Sequence, residues 1–127
     1  MRFLALLALI ALAASGETPQ PVLDVLRALS EALANQDAAA FMDQFDKSMA
    51  GFEKLLPEIE VLVAQDVSST IDVITDEGDA LKRTMELDWL LSIDNQEPRR
   101  QVVKCRMDKQ GKKWKIVALE PVGFFQK

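Results

Sequence analysis

Residues 81–93 read Leu-Lys-Arg-Thr-Met-Glu-Leu-Asp-Trp-Leu-Leu-Ser-Ile. Met85, Leu87, Trp89, Leu91 and Ile93 fall on alternate positions, with Thr84, Glu86, Asp88 and Ser92 between them. A period of two over this length predicts a strand with one apolar and one polar face. Such a strand belongs to a half-buried antiparallel sheet, because a parallel strand is covered on both sides and reads as a continuous apolar run.

The same period appears on both sides. Val67, Ser69, Ile71 and Val73 alternate with Ser68, Thr70 and Asp72. Gln101 to Asp108 places Val103, Cys105 and Met107 inward and Lys104 and Arg106 outward. Trp114, Ile116 and Ala118 follow as an inward set, with Lys113 and Lys115 outward. Thr75 to Asp79 reads as a turn, Asp94 to Pro98 as a polar loop, and Lys109-Gln110-Gly111 as a hairpin turn in which Gly111 takes a positive φ. With the second hairpin centred near Gln96, Glu86 is expected opposite Arg106 and Asp88 opposite Lys104. Val122, Phe124 and Phe125 close the chain as an apolar tail.

Upstream of Gln65 the period is helical. Val22, Leu26, Leu29 and Leu33 recur at three and four, widened by Val25 and Ala32. Asn35-Gln36-Asp37 interrupts this stripe, and Asp37 is suited to cap a second helix carrying Phe41, Met42 and Phe45. Lys47 to Gly51 ends it. A third helix follows, with Phe52, Leu55, Leu56, Ile59, Leu62 and Val63 on its stripe. Pro57 lies inside and predicts a kink or a restart. Three N-terminal helices packed on a curved antiparallel sheet of about four strands make an α+β domain over 22–127.

The first sixteen residues differ. Arg2 is their only charge, and Phe3 to Ala14 is unbroken apolar sequence ending in Ala13, Ala14, Ser15 and Gly16. Spanning a bilayer takes roughly 20 apolar residues, so this run is too short. Its parts are those of a signal peptide over 1–16, with 17–21 as linker and a periplasmic or secreted destination. The alternatives are an uncleaved anchor or a helix of the fold. No Cys follows the run to carry a lipid anchor, and no stable membrane span is expected after cleavage.

Composition narrows the chemistry. The formal net charge of −5 speaks against nucleic acid as partner. The single cysteine, Cys105, allows no internal disulfide, so packing alone must hold the core. The chain contains no His and no Tyr. It therefore lacks both the side chain that titrates near neutrality and the phenol donor. Zinc is not expected without His or Cys clusters. Asp76, Glu77 and Asp79 around Gly78 suit a turn better than a calcium site, which needs six to eight oxygens. No Gly-rich phosphate loop is present, and no metal or cofactor is expected.

The order of helices and long strands, with the helix pair "LSEALANQDAAAFMDQF" (29–45), the strand "LKRTMELDWLLSI" and the ending "KKWKIVALEPVGFF" (112–125), resembles the nuclear transport factor 2-like superfamily. The resemblance implies a curled sheet that the helices close into a cone. Lys47 to Phe52 leaves no room for the extra strand or hairpin that members often carry between the second and third helices. Enzymes of the superfamily, such as ketosteroid isomerase, scytalone dehydratase and the SnoaL-like polyketide cyclases, place a base and a donor inside the cone, commonly Asp or His with Tyr. None of those residues carries over here. On strand parity the inner face holds only Ser69 and Cys105 as non-hydrocarbon positions, and only a bulge would bring a carboxylate inside.

The inner wall is then both core and candidate pocket lining. It comprises Phe41 and Phe45 from the second helix, and Met85, Leu87, Trp89 and Leu91 from the long strand. Val103, Cys105 and Met107 come from the next strand, and Trp114 and Ile116 from the last. A hollow cone so lined suits an apolar ligand; a filled one leaves no site. The leading expectation is a non-enzymatic exported domain that binds a partner protein or a small apolar molecule. The outer sheet face or the Phe124-Phe125 tail would be its contact surface, and a homodimer is one such arrangement. The alternatives are a SnoaL-like isomerase, cyclase or dehydratase with an atypical carboxylate, and a structural module of an envelope assembly. The signal reading has a direct check. The amino terminus of the protein isolated from its host should lie between about Ala14 and Glu17, and a chain still beginning at Met1 would refute it.

Overall fold

The computed structural model describes residues 18–126; the signal-peptide segment lies outside them. Helix α1 (Gln20–Ala34) buries Val22, Val25, Leu26, Leu29, Ala32 and Leu33, the stripe expected of it. It starts two residues before Val22, with Pro21 in its first turn, where a missing N–H costs nothing. Gln36 ends it in the left-handed region at φ 58° and sends its side-chain amide to the Val63 carbonyl at 2.9 Å. That bond ties the break after α1 to the end of the third helix.

Asp37 caps α2 (Ala38–Met42) as expected, accepting the Ala40 N–H at 3.0 Å. The helix has only five residues, so Phe45 is not on it. The backbone instead leaves α2 for the sheet, and Phe45 forms a parallel bridge with Ile116. Ile116 N–H donates to Gln44 O at 2.9 Å, and Asp46 N–H to Ile116 O at 2.8 Å. Asp46 then accepts from the Ser48 N–H, the Ser48 hydroxyl and Gln110, which together hold its carboxyl down at about 2. Helix α3 (Phe52–Val63) starts after Gly51, which takes φ 87°. It runs through Pro57 without a restart and buries Leu55, Ile59, Leu62 and Val63. Leu56 departs from expectation and lies exposed, one position off that face.

Four strands form an antiparallel meander in the order β1-β2-β3-β4: β1 (Val67–Gly78), β2 (Lys82–Ile93), β3 (Arg99–Gln110) and β4 (Lys113–Glu120). The inner set of β2 is buried throughout, from Met85 to Ile93. The β2–β3 register differs from the expected one by two residues. Glu86 pairs with Lys104, Asp88 with Val102, and Arg106 with Thr84. The hairpin centres on Asn95, which takes φ 62°, rather than on Gln96. A shift of two keeps every side chain on its face. Asp88 finds its cation diagonally, in a two-pronged contact with Arg100 at 2.6 and 3.0 Å that lowers the Asp88 carboxyl. The β3–β4 turn is Gly111-Lys112, with Gly111 at φ 66°; Lys109 and Gln110, expected in the turn, are the last residues of β3.

Two bulges break the period of two. One inserts Ile74 between Val73 and Thr75 in β1, and β1 continues to Gly78 where a turn was expected. The actual turn follows it, with Asp79 accepting the N–H groups of Leu81 and Lys82 at 2.8 and 2.9 Å. The other bulge inserts Val117 in β4, so Leu119 takes the inner position assigned to Ala118. Each extra residue reverses the facing of everything beyond it.

Candidate functional site

All eleven proposed lining residues belong to one buried cluster. Trp89, Met85, Leu87, Leu91, Val103, Met107, Phe41 and Ile116 are fully buried, and Phe45, Cys105 and Trp114 nearly so. The inward residues of the sheet and the aromatic residues of the α2 segment therefore share one core.

Val122–Phe125 forms a 3₁₀ turn that folds back into the cone and buries Phe124 and Phe125. Phe125 packs edge-on against Trp89, ring centroids 5.2 Å apart, and against Phe41 at 5.6 Å. Phe41 in turn meets Phe45 at 5.4 Å, and Phe124 meets Trp89 at 5.9 Å. These separations are direct ring contacts. The expectation that the Phe124-Phe125 tail is a contact surface is thus corrected. Two adjacent phenyl groups cost more exposed than packed against Trp89 and Phe41, and the sheet end offers them that place. Arg99 holds the turn by donating from Nη1 to the carbonyls of Phe124, at 2.8 Å, and Gln126. Gln126 donates to Glu58 on α3 at 2.8 Å.

Outside this plug lies a shallow depression of about 340 Å³ between α3 and the terminal turn, lined by Pro57, Glu58, Val61, Leu62, Gln65, Arg99, Phe125 and Gln126. A second, about 490 Å³, lies between the start of α1 and the β3–β4 turn; Trp114 lines it among Asp24, Asp43 and three lysines. The other ten proposed residues line neither.

Cys105 is buried, and burial pushes its thiol up to about 12. Thiolate is the reactive form, so the folded protein holds this sulfur inert. Lys104 and Arg106, its neighbours in sequence, are exposed on the opposite face.

The β1 bulge brings in one group expected in a turn. Asp76 turns inward and pairs with Arg83 at 2.9 Å, the two side chains retaining 7% and 11% exposure. Its second oxygen, Oδ2, is buried without a hydrogen-bond partner. The inner face thus carries an ion pair besides Ser69 and Cys105. Arg83 could have been found from sequence, since it shares the odd-numbered parity of Met85. Asp76 could not, because nothing in Val73-Ile74-Thr75 announces a bulge. Among the described residues, no three His, Cys, Asp or Glu side chains gather as a metal site, and no helix is long and apolar enough to cross a membrane.

Asp76→Asn discriminates between a structural and a strained carboxylate. If the carboxylate serves Arg83, its loss leaves a nearly buried guanidinium without a counter-charge and lowers stability, by up to about 3–5 kcal/mol. Denaturant unfolding should show that loss; a stabilised variant would mark Asp76 as a strained group kept for chemistry.

No family model matches the sequence, and no curated protein matches it. Solved structures do match. One is a nuclear transport factor 2-like protein of unknown function from Shewanella oneidensis MR-1, 12% identical, covering 79% of this chain and 94% of its own, with TM-score 0.70. A protein of unknown function from Mycobacterium tuberculosis is 12% identical over 79% of this chain and 68% of its own, with TM-score 0.68. A protein of unknown function with a cystatin-like fold from Nostoc punctiforme PCC 73102 is 15% identical over 79% and 86%, with TM-score 0.62. At these identities the likeness establishes architecture, and the helices and four-stranded sheet of this chain have the nuclear transport factor 2-like fold.

Proposed function

We propose that this chain is an exported, non-enzymatic domain that binds protein through the outer face of its sheet, with a second copy of itself as the partner. The observation that carries this reading is the filled cone. Trp89, Phe125, Phe41 and Phe45 are in ring contact where a ligand or a reacting group would sit. Binding is then left to the outside of the molecule. Val102 and Ile74 stand half-exposed on the outer sheet face, Leu90 is partly exposed, and Asp88–Arg100 and Glu86–Lys104 supply both signs of charge. An apolar centre with paired charges around it is self-complementary, which a two-fold interface requires. Export rests on the apolar run from Phe3 to Ala14.

One observation favours an enzyme instead, namely the inward carboxylate of Asp76 with its unpartnered oxygen. Against it stands Arg83, which compensates the charge and occupies the other oxygen.

Sedimentation of the mature chain should show a dimer, and Val102→Glu, which leaves the core untouched, should yield a folded monomer. A monomer at all concentrations, or a dimer indifferent to Val102→Glu, would remove the outer face as the binding surface.

A further inference from the structure

The two edges of the sheet are not alike. The edge of β4 carries one bridge, where the backbone of Gln44–Asp46 bonds on both sides of Ile116. The edge of β1 pairs with no strand or bridge among the described residues.

Ladder geometry says which of its groups are free. Asp94 N–H donates to Asp66 O at 2.9 Å, so the 66/94 pair is a hydrogen-bonded one. Bonded and non-bonded pairs alternate in an antiparallel ladder. In the register Val67↔Ile93 to Val73↔Leu87, the backbone groups of Ser68, Thr70 and Asp72 therefore face β2. Those of Val67, Ser69, Ile71 and Val73 point away from it. No backbone bond to the rest of the described chain involves these four. Their side chains face inward, and Ile71 and Val73 are only partly buried, so the apolar layer is unfinished at this edge. Beyond Val73 the bulge at Ile74 and the inward Asp76 spoil the edge, devices that limit strand pairing. The free edge is thus regular over seven residues, 67–73.

Its charge is one-sided. Asp66, Asp72, Asp76, Glu77 and Asp79 occur with no Lys or Arg before Lys82. Arg83 takes Asp76, and the other four make no ion pair among the described residues. Two copies of β1 edge to edge would set these acids against each other.

We propose that the 67–73 edge of β1 accepts an extended segment of a partner protein as a fifth strand. That segment carries Lys or Arg at the positions sharing the face of Asp72, and apolar residues at those beside Ile71 and Val73. Main-chain bonds supply the affinity of strand addition, and alternate side chains the selection.

The test uses the mature protein and an acetylated seven-residue peptide alternating Lys and Val. It should bind and slow hydrogen exchange at the amides of Ser69, Ile71 and Val73. Two control peptides keep the same length. N-methylation at the Val residues removes the donors that face β1 and should weaken binding by at least about tenfold. The Glu–Val twin should not bind. Asp72→Lys should weaken the Lys–Val peptide without unfolding the chain, since residue 72 is exposed. Equal binding of the methylated or acidic peptide, or no protection at these amides, overturns the proposal. Protection that rises with protein concentration alone would place a second copy at the edge and also overturn it.

Discussion

Phe125 against Trp89, edge to face at 5.2 Å, is the contact on which the rest of the molecule depends. A sheet that curls around helices must fill the space it encloses, because a void forfeits the dispersion contacts of its lining. Helix α1 covers part of the inner face, and its stripe is complete. Helix α2 is too short to fill the remainder. Phe41 and Phe45 reach in from its segment, and the last turn of the chain supplies the other rings. The terminal segment is therefore core, locked by Arg99 from β3 and by Gln126 reaching Glu58 on α3.

Most of the architecture was legible because it rests on period. The alternation from Met85 to Ile93 fixed an inner face that the structure retains residue for residue, and the α1 stripe did the same for the helix. What could not be read were events that insert or remove one residue. The Ile74 and Val117 bulges reverse facing locally, and each depends on how a strand bends around the core rather than on its own composition. The hairpin centre at Asn95 was misplaced by one position because Asp94 to Pro98 is polar throughout. Parity survived that error; cross-strand partners did not. Of the candidate site, the set of inward residues was legible and its meaning was not. Alternation shows which side chains face in, while hollow or filled depends on Phe124 and Phe125, whose tertiary destination no local pattern announces.

The consequences for function follow from where polar and unpaired groups remain. Inside, among the described residues, the ionic feature is Asp76 with Arg83, and the thiol of Cys105 is held neutral by burial. Among the described residues, the outer sheet face carries charges of both signs and one sheet edge has an unpaired backbone. The bridge at Ile116 explains the asymmetry of the two edges. Gln44–Asp46 provides a single bridge to β4, at Ile116. Among the described residues, no bridge of this kind pairs with β1.

Phe125→Ala would open the filled interior beside Trp89. Xenon uptake and denaturant unfolding would be measured on the native chain and on the variant. The native interior should take up no xenon. The variant should lose roughly 3–5 kcal/mol, the cost of truncating a packed phenyl group, and bind xenon beside Trp89. Xenon already bound inside the native protein, or a variant as stable as the parent, would show that the cone is hollow and that the terminal turn is not part of its core.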